Sequence, residues 1–296
     1  MTLIWGSTFV LIKAALRDSS PFTLNAVRVS LAAVLLAVYY RTDLMKLKKP
    51  ALQTGCIVGF FLFLGYAFQT TGLKFTTPSK SAFLTGVSTV LVPVVLLVLY
   101  RTKVHPWRAV GILFAIAGLF LMTVPAGRQG LLDFANVNLG DVLSFFCAVA
   151  FALQIVFLGR ATQRYPFQQI AVLQVSVAAL LMAVSSPLLE QPHFLLTGTV
   201  VACVLITGIL GTALAFTVQA WAQQFTPATH AALIFTLEPV FAWLTSFVIL
   251  HERLGLRAGA GALLILAGIL ISELLGAIGL PHMKNNHGRE HASTAG

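Results

Sequence analysis

Glu238 and Pro239 stand side by side inside "HAALIFTLEPVFAWLTSFVIL", residues 230–250, a run long and apolar enough to cross a bilayer. A carboxylate near the middle of such a run costs roughly 3 kcal/mol on insertion scales unless it is paired, hydrated or protonated. Pro239 has no N–H, so it leaves the carbonyl of Phe235 without its usual partner. Freed carbonyls are tolerated at that depth where they face a cavity or another helix. Two readings follow. Either the pair opens on an aqueous cavity, where Glu238 binds a solute or carries a proton, or Glu238 is protonated and packs against a neighbouring helix. Pro93 does the same to the carbonyl of Thr89 in an earlier run.

Other residues inside apolar runs could serve the same cavity. Arg28 lies seven residues into its run, too deep to be dismissed as a head-group contact. Lys13 is three residues from the end of its run and within snorkelling distance. Either cation is a conceivable partner for Glu238. Amides such as Gln69 and Gln154 can contact a zwitterion, and rings such as Trp5 and Trp243 can bound an apolar slot. Packing is the competing role for Trp5, Gln69 and Gln154. Tyr66 and Gln219 recur in the same way, Trp221 near a run's end suits an interface belt, and Glu273 suits a structural contact. The candidate substrate-binding set is therefore Glu238, Arg28, Trp5, Gln69, Gln154 and Trp243, with Pro93 and Pro239 as helix breaks.

The chemistry this set excludes is as informative. No paired aspartates, Ser–His pair or HExxH stands in the apolar runs, which argues against an enzyme. No phosphate loop is present, so ATP is not the direct driver. No cofactor is implied. Cys56, Cys147 and Cys203 all lie in apolar runs and read as small buried hydrophobes. His282, His287 and His291 fit no ordinary metal site, so no metal is expected.

The elements that must hold these residues follow from composition. Of 296 residues, 58% are apolar and 9% are charged, with a mean hydropathy of +0.90. A soluble domain carries about 25% charged residues, so the solvent for this chain is lipid. Ten candidate spans cover 1–16, 22–40, 51–73, 79–100, 108–125, 140–160, 167–186, 198–221, 229–250 and 258–279. The net charge of +10 sits in the short gaps between runs. It therefore reads as a topology signal and as contacts to anionic lipids, not as a nucleic-acid surface.

With a cytoplasmic N-terminus the inner gaps and tail hold eleven basic residues: Arg41, Lys46, Lys48, Lys49, Arg101, Lys103, Arg108, Arg160, Arg164, Lys284 and Arg289. The outer gaps hold six: Arg17, Lys74, Lys80, Arg128, Arg253 and Arg257. The bias places both termini in the cytoplasm and the chain in the plasma (inner) membrane. "MTLIWGSTFV" has neither a basic start nor a cleavage site, so the first span is expected to stay in the mature protein.

The halves resemble each other. "RVSLAAVLLAV" (28–38) and "QVSVAALLMAV" (174–184) match at seven of eleven positions, an offset of 146 that also pairs Trp5 with Phe151 and Gly65 with Gly211. Thr77-Pro78 pairs with Thr226-Pro227 at 149, and Gly111 and Gly118 pair with Gly261 and Gly268 at 150. Each Thr-Pro reads as an N-cap followed by a first-turn proline. Five spans per half is an odd number, so the second half enters from the opposite side and forms an inverted repeat. The expected fold is all-α: ten transmembrane helices as two inverted five-helix halves, 1–125 and 140–279, joined by a linker at 126–139. A disordered cytoplasmic tail is expected at 280–296. Spans 5 and 10 carry spaced glycines, which suit packing against each other or in a homodimer. Span 1 is short for its counterpart. Either the chain starts upstream of Met1, or this helix thins the bilayer locally.

Three stretches then carry a resemblance: "LIWGSTFVLIKAAL", "FTTPSKSAFLTGVSTVLVPVV", and "TPATHAALIFTLEPVFAWLTSFVILHERLGLRAGAGALLILAGILI". Together they resemble the EamA branch of the drug/metabolite transporter superfamily over nearly the whole chain. Glu238, Pro239, Glu252, Gly261 and Gly268 fit the family's closing pattern, while Thr102 stands where the first half would repeat Glu252. The resemblance implies a carrier of small metabolites, often amino acids and often exported. It equally leaves open a translocase of lipid or lipid-linked substrates, which the superfamily includes.

Overall fold

The computed structural model describes residues 1–102, 105–125, 137–235 and 237–275, with the side chains of 229, 230, 232, 233 and 273 set aside. Among these residues the regular structure is helical, joined by turns, apart from one isolated bridge between Ser19 and Phe194. The expected tail, with its three histidines, most of the linker and the Glu273 side chain lie outside the described residues.

Helices run in the order α1 (Thr2–Ala15), α2 (Pro21–Tyr39), α3 (Lys49–Phe75), α4 (Pro78–Tyr100), α5 (Pro106–Thr123) and α6 (Leu139–Thr162). Then follow α7 (Phe167–Leu189), α8 (Gly198–Ala222), α9 (Ala228–Phe235), α10 (Glu238–Leu250) and α11 (Leu256–Leu270). Seven of them, α2 to α8, are long and apolar enough to cross a membrane, and α1, α10 and α11 are shorter apolar helices. Local chemistry explains the starts. Prolines occupy first-turn positions of α2 to α5, where a missing N–H costs nothing. Thr77 and Asn138 cap α4 and α6, Asn138 Oδ1 accepting the Gly140 N–H at 2.7 Å. The Thr226 hydroxyl instead donates to the Ala222 carbonyl at 2.7 Å, closing the preceding helix.

Two helices are interrupted. In α4 a new helical segment starts after Val87, six residues before Pro93. The proline thus lies inside the second segment, and the break precedes it. Pro239 sits in the first turn of α10, whose N-cap is Leu237. Val87 and Leu237 are 150 apart, as are Arg101 and His251, the two left-handed residues that end these helices. The offset matches that of the glycine pairs, so breaks and ends correspond between halves even though the prolines do not. A Cβ on Gly86 would lie 3.3 Å from Pro239 Cγ, so the two interruptions abut. In α8, Ile206–Leu214 is wound in wide π-type turns, with the Thr212 hydroxyl reaching back five residues to the Thr207 carbonyl.

The packing of one half on the other has an exchange pattern. Helices α5 and α11 cross antiparallel at their glycines: a Cβ on Gly111 would fall 2.4 Å from the Gly268 carbonyl oxygen, and one on Gly118 2.5 Å from that of Gly261. Helices α2 and α7 are antiparallel too, with Thr23 against Ser186 at one end and Tyr40 against Phe167 at the other. Helix α3 packs on α6 through Gly72 against Gly140 and Phe61 stacked on Phe157. Helix α1 meets α8 where Trp5 touches Gly211. Exchanging the halves maps α2/α7 and α5/α11 onto themselves and turns α3/α6 into α1/α8.

The turns gather at two ends. At one, Lys13 Nζ donates to the Leu73 and Thr76 carbonyls at 2.7 and 2.9 Å, and Thr197 donates to Asp18. Ser79 donates to Glu252 there, and Arg257 to the Val124 carbonyl. At the other, Gln169 donates to the Asp43 carbonyl and the Arg160 guanidinium covers the Tyr100 ring. The chain threads alternately between these ends. Between them Leu113, Ile116, Leu180, Val248 and Leu263 stay exposed, because lipid and not water covers them.

Candidate functional site

Where the interrupted helices meet α1, α2, α3, α6 and α8, a small cavity of about 60 Å³ opens. Its lining includes Trp5, Arg28, Gln69, Gln154 and Glu238. Five of the six residues expected to bind substrate therefore share one hollow. Trp243 does not line it. That residue lies five positions beyond Glu238, about 140° further round the helix, and is 36% exposed against Phe247 on the outer side. Pro93 and Pro239 are buried, and Pro239 helps set the break from which Glu238 projects.

The two halves contribute matching positions. Ser88 and Glu238, the first residues after the two helix starts, both line the cavity and are 150 apart. Trp5 and Phe151 line it too, at the offset of 146. Sequence reasoning passed over Thr85, Ser88, Phe151, Phe216 and Phe235, all lining residues. For Ser88 and Phe151 the signal was available in the repeat register. Nothing in the sequence marked Phe216 or Phe235 apart from ordinary apolar packing.

Each polar side chain is held differently. The Trp5 indole donates to the Gly211 carbonyl at 2.8 Å, a group made available where α8 is wound wide. Its ring lies 5.4 and 5.2 Å from those of Phe216 and Phe235. The hydroxyls of Tyr66 and Thr212 are 3.0 Å apart. Gln154 Nε2 donates to Gln174 Oε1 at 3.0 Å, with Gln219 3.5 Å away, so Gln174 backs two amides that line the cavity. Arg28 is only 2% exposed. Its Nε donates to Asn25 Oδ1 at 2.8 Å, and its guanidinium lies 4.4 Å from the Tyr66 ring centroid.

Glu238 is half-buried, and among the described residues no hydrogen bond or ion pair reaches its carboxylate. Lys13 is spent on helix-end carbonyls, and Arg28 on Asn25. The ion pair the described residues do form, Lys80 with Asp141, lies among the turns at the end shared by Lys13 and Glu252. An unpaired acid, a buried cation, three amides and a wall of rings facing one hollow can hold a small polar solute. They offer no nucleophile–base pair, and no cluster that could hold a metal occurs among the described residues.

A helical membrane protein with a polar hollow between its two halves has an architecture that transporters use. The chain belongs to the EamA-like transporter family, whose profile matches residues 1–124 and again 138–274. It is a multi-pass membrane transporter and not an enzyme. A protein of Archaeoglobus fulgidus described as an "uncharacterized transporter" is 32% identical over 274 residues, covering 93% of this chain and 83% of that one. Another such transporter, YoaV of Bacillus subtilis, is 25% identical, covering 92% and 94%. A crystal structure superposes with a TM-score of 0.68 at 18% identity, covering 93% of this chain and 96% of its own, which shows a shared fold.

Proposed function

We propose that this transporter is a secondary-active or facilitative carrier of small metabolites, amino-acid-like or drug-like compounds, working by alternating access in the direction of efflux. The observation that carries the reading is the central cavity with Glu238 unpaired inside it. In this reading the chain crosses the inner membrane ten times as two inverted five-helix halves, with α1, the α9–α10 pair and α11 as the shorter passages. Antiparallel crossings of the equivalent pairs α2/α7 and α5/α11 support the inversion. The charge bias supports two cytoplasmic termini. Glu238 binds the solute or couples it to a proton, while Arg28, Trp5, Gln69 and Gln154 contact it. A small cavity lined by rings, amides and two opposite charges suits a small solute better than a lipid. The glycine faces of α5 and α11 are used on each other, so a homodimer through these helices would need their outer faces and is not required here.

The test is uptake and efflux in proteoliposomes with a panel of amino acids and nucleosides, at two pH values. Transport that depends on pH in the natural chain and loses that dependence in Glu238→Gln is the expected result. A Gln variant indistinguishable from the natural chain at both pH values removes Glu238 from the mechanism.

A further inference from the structure

Arg28 is a second residue in the cavity, besides Glu238, whose bonding is incomplete. It is buried, it lines the hollow, and its Nη2 has no partner. No carboxylate is paired with it among the described residues. A guanidinium at that depth without an acidic partner is costly, and the cost falls when an anion arrives. What keeps it pointing at the cavity instead of folding away is Asn25, one helical turn earlier on the same face of α2. Asn25 Oδ1 accepts from Arg28 Nε at 2.8 Å and from the Thr70 hydroxyl at 3.1 Å. Asn25 Nδ2 donates to the Tyr66 carbonyl at 3.1 Å, tying the same amide to α3. Tyr66 in turn lays its ring under the guanidinium. Asn25 is fully buried and is not among the cavity's lining residues, so its effect on a solute must pass through Arg28.

The second half shows what the arrangement lacks without this amide. At the offset of 146, Arg28 corresponds to Gln174 and Asn25 to Ala171. Gln174 accepts from Gln154 and joins the neutral amide group. Among the described residues the cavity's cation thus comes from α2, while Gln174 stands behind the lining residue Gln154.

We infer that Arg28 forms a subsite for an anionic group of the solute, a carboxylate by its planar donor chemistry, and that Asn25 is the positioning residue that sets this selectivity. The inference rests on the proposed solute cavity.

The probes are phenylacetate and its neutral isostere phenylacetamide, matched to each other in shape. Equilibrium binding is measured to the full chain in lipid nanodiscs, with Arg28→Gln, Asn25→Ala and the double variant. Phenylacetate is expected to bind more tightly than phenylacetamide, and Asn25→Ala to weaken phenylacetate by about tenfold while moving phenylacetamide by less than about twofold. The double variant is expected to be no weaker than Arg28→Gln alone, because Asn25 acts through it. Asn25→Asp serves if the alanine chain does not fold: it keeps the acceptor for Nε but cancels the charge, and the same selective loss is expected. Equal losses for both probes, or additive losses in the double variant, would make Asn25 a packing residue and overturn its assignment. Should Arg28→Gln leave the preference for phenylacetate intact, or should phenylacetate not bind saturably, the anion subsite itself is lost. Metabolite transport in proteoliposomes is read separately, so that outcome leaves the carrier reading standing.

Discussion

At the scale of single residues, the lipid environment is what made the site readable. Charge and amide groups are costly in hydrocarbon, so Glu238, Arg28, Gln69 and Gln154 stand out from a sequence that is 58% apolar, and they meet in one cavity. Aromatic residues carry no such penalty. Trp5 and Trp243 are equally comfortable facing a ring-lined hollow or acyl chains, and only Trp5 lines the hollow. Asn25 was legible only in retrospect, through its three-residue spacing from Arg28. The bond from the Trp5 indole to the Gly211 carbonyl yields a prediction of its own. Trp5→Phe keeps the ring but strands that carbonyl, and should lower stability by about 0.5–1.5 kcal/mol. Thermal unfolding in detergent checks it, and an unchanged midpoint would mean that water replaces the indole.

At the scale of helices, periodic apolar runs located most elements, and turn chemistry set several of their ends. The interruptions were harder. A proline predicts a freed carbonyl four residues earlier, yet α4 breaks at Val87, ahead of Pro93, beside the point where Gly86 lies against Pro239. The wide turns of α8 have no sequence signature, since π-type winding is stabilised by tertiary contacts such as the Tyr66–Thr212 hydroxyl pair. The glycines separate cleanly by what surrounds them. Gly111→Ala would drive a methyl group to 2.4 Å from the Gly268 carbonyl oxygen and force α5 and α11 apart. A loss of about 1–3 kcal/mol is expected. Nothing lies within 4 Å of a Cβ at Gly259, so Gly259→Ala should be neutral or stabilise by up to about 1 kcal/mol through helix propensity. Unfolding midpoints of the two variants should move in opposite directions or differ clearly; similar midpoints would sink this account of the α5–α11 seam.

At the scale of the whole molecule, the repeat register carried more than local propensity could. Offsets of 146 and 150 link Trp5 with Phe151 and Ser88 with Glu238, and these residues line the same hollow from both halves. What the register could not supply was asymmetry, because identical backbone positions carry an arginine in one half and a glutamine in the other. The threading of the chain also makes a prediction about sidedness. In a chain with Cys56→Ser, a cysteine at Leu195 should react with a membrane-impermeant thiol reagent added outside intact cells, and one at Met45 should react only after lysis. Both positions are well exposed, at 50% and 87%. The reverse labelling would invert the proposed orientation while leaving the fold untouched.

The bond between Trp5 and Gly211 has a counterpart that cannot form. Phe151 occupies the corresponding place over Gly65, with a Cβ there only 2.5 Å from its ring, and a hydrocarbon ring has no hydrogen to give. One of the two seams is thus tied by a hydrogen bond beside the cavity, and the other at its end, where Thr76 donates to Asp141 and Asn138 to the Phe75 carbonyl. A rocking motion that opened both would break polar bonds at different depths on the two flanks, so the molecule's two resting postures need not be mirror images.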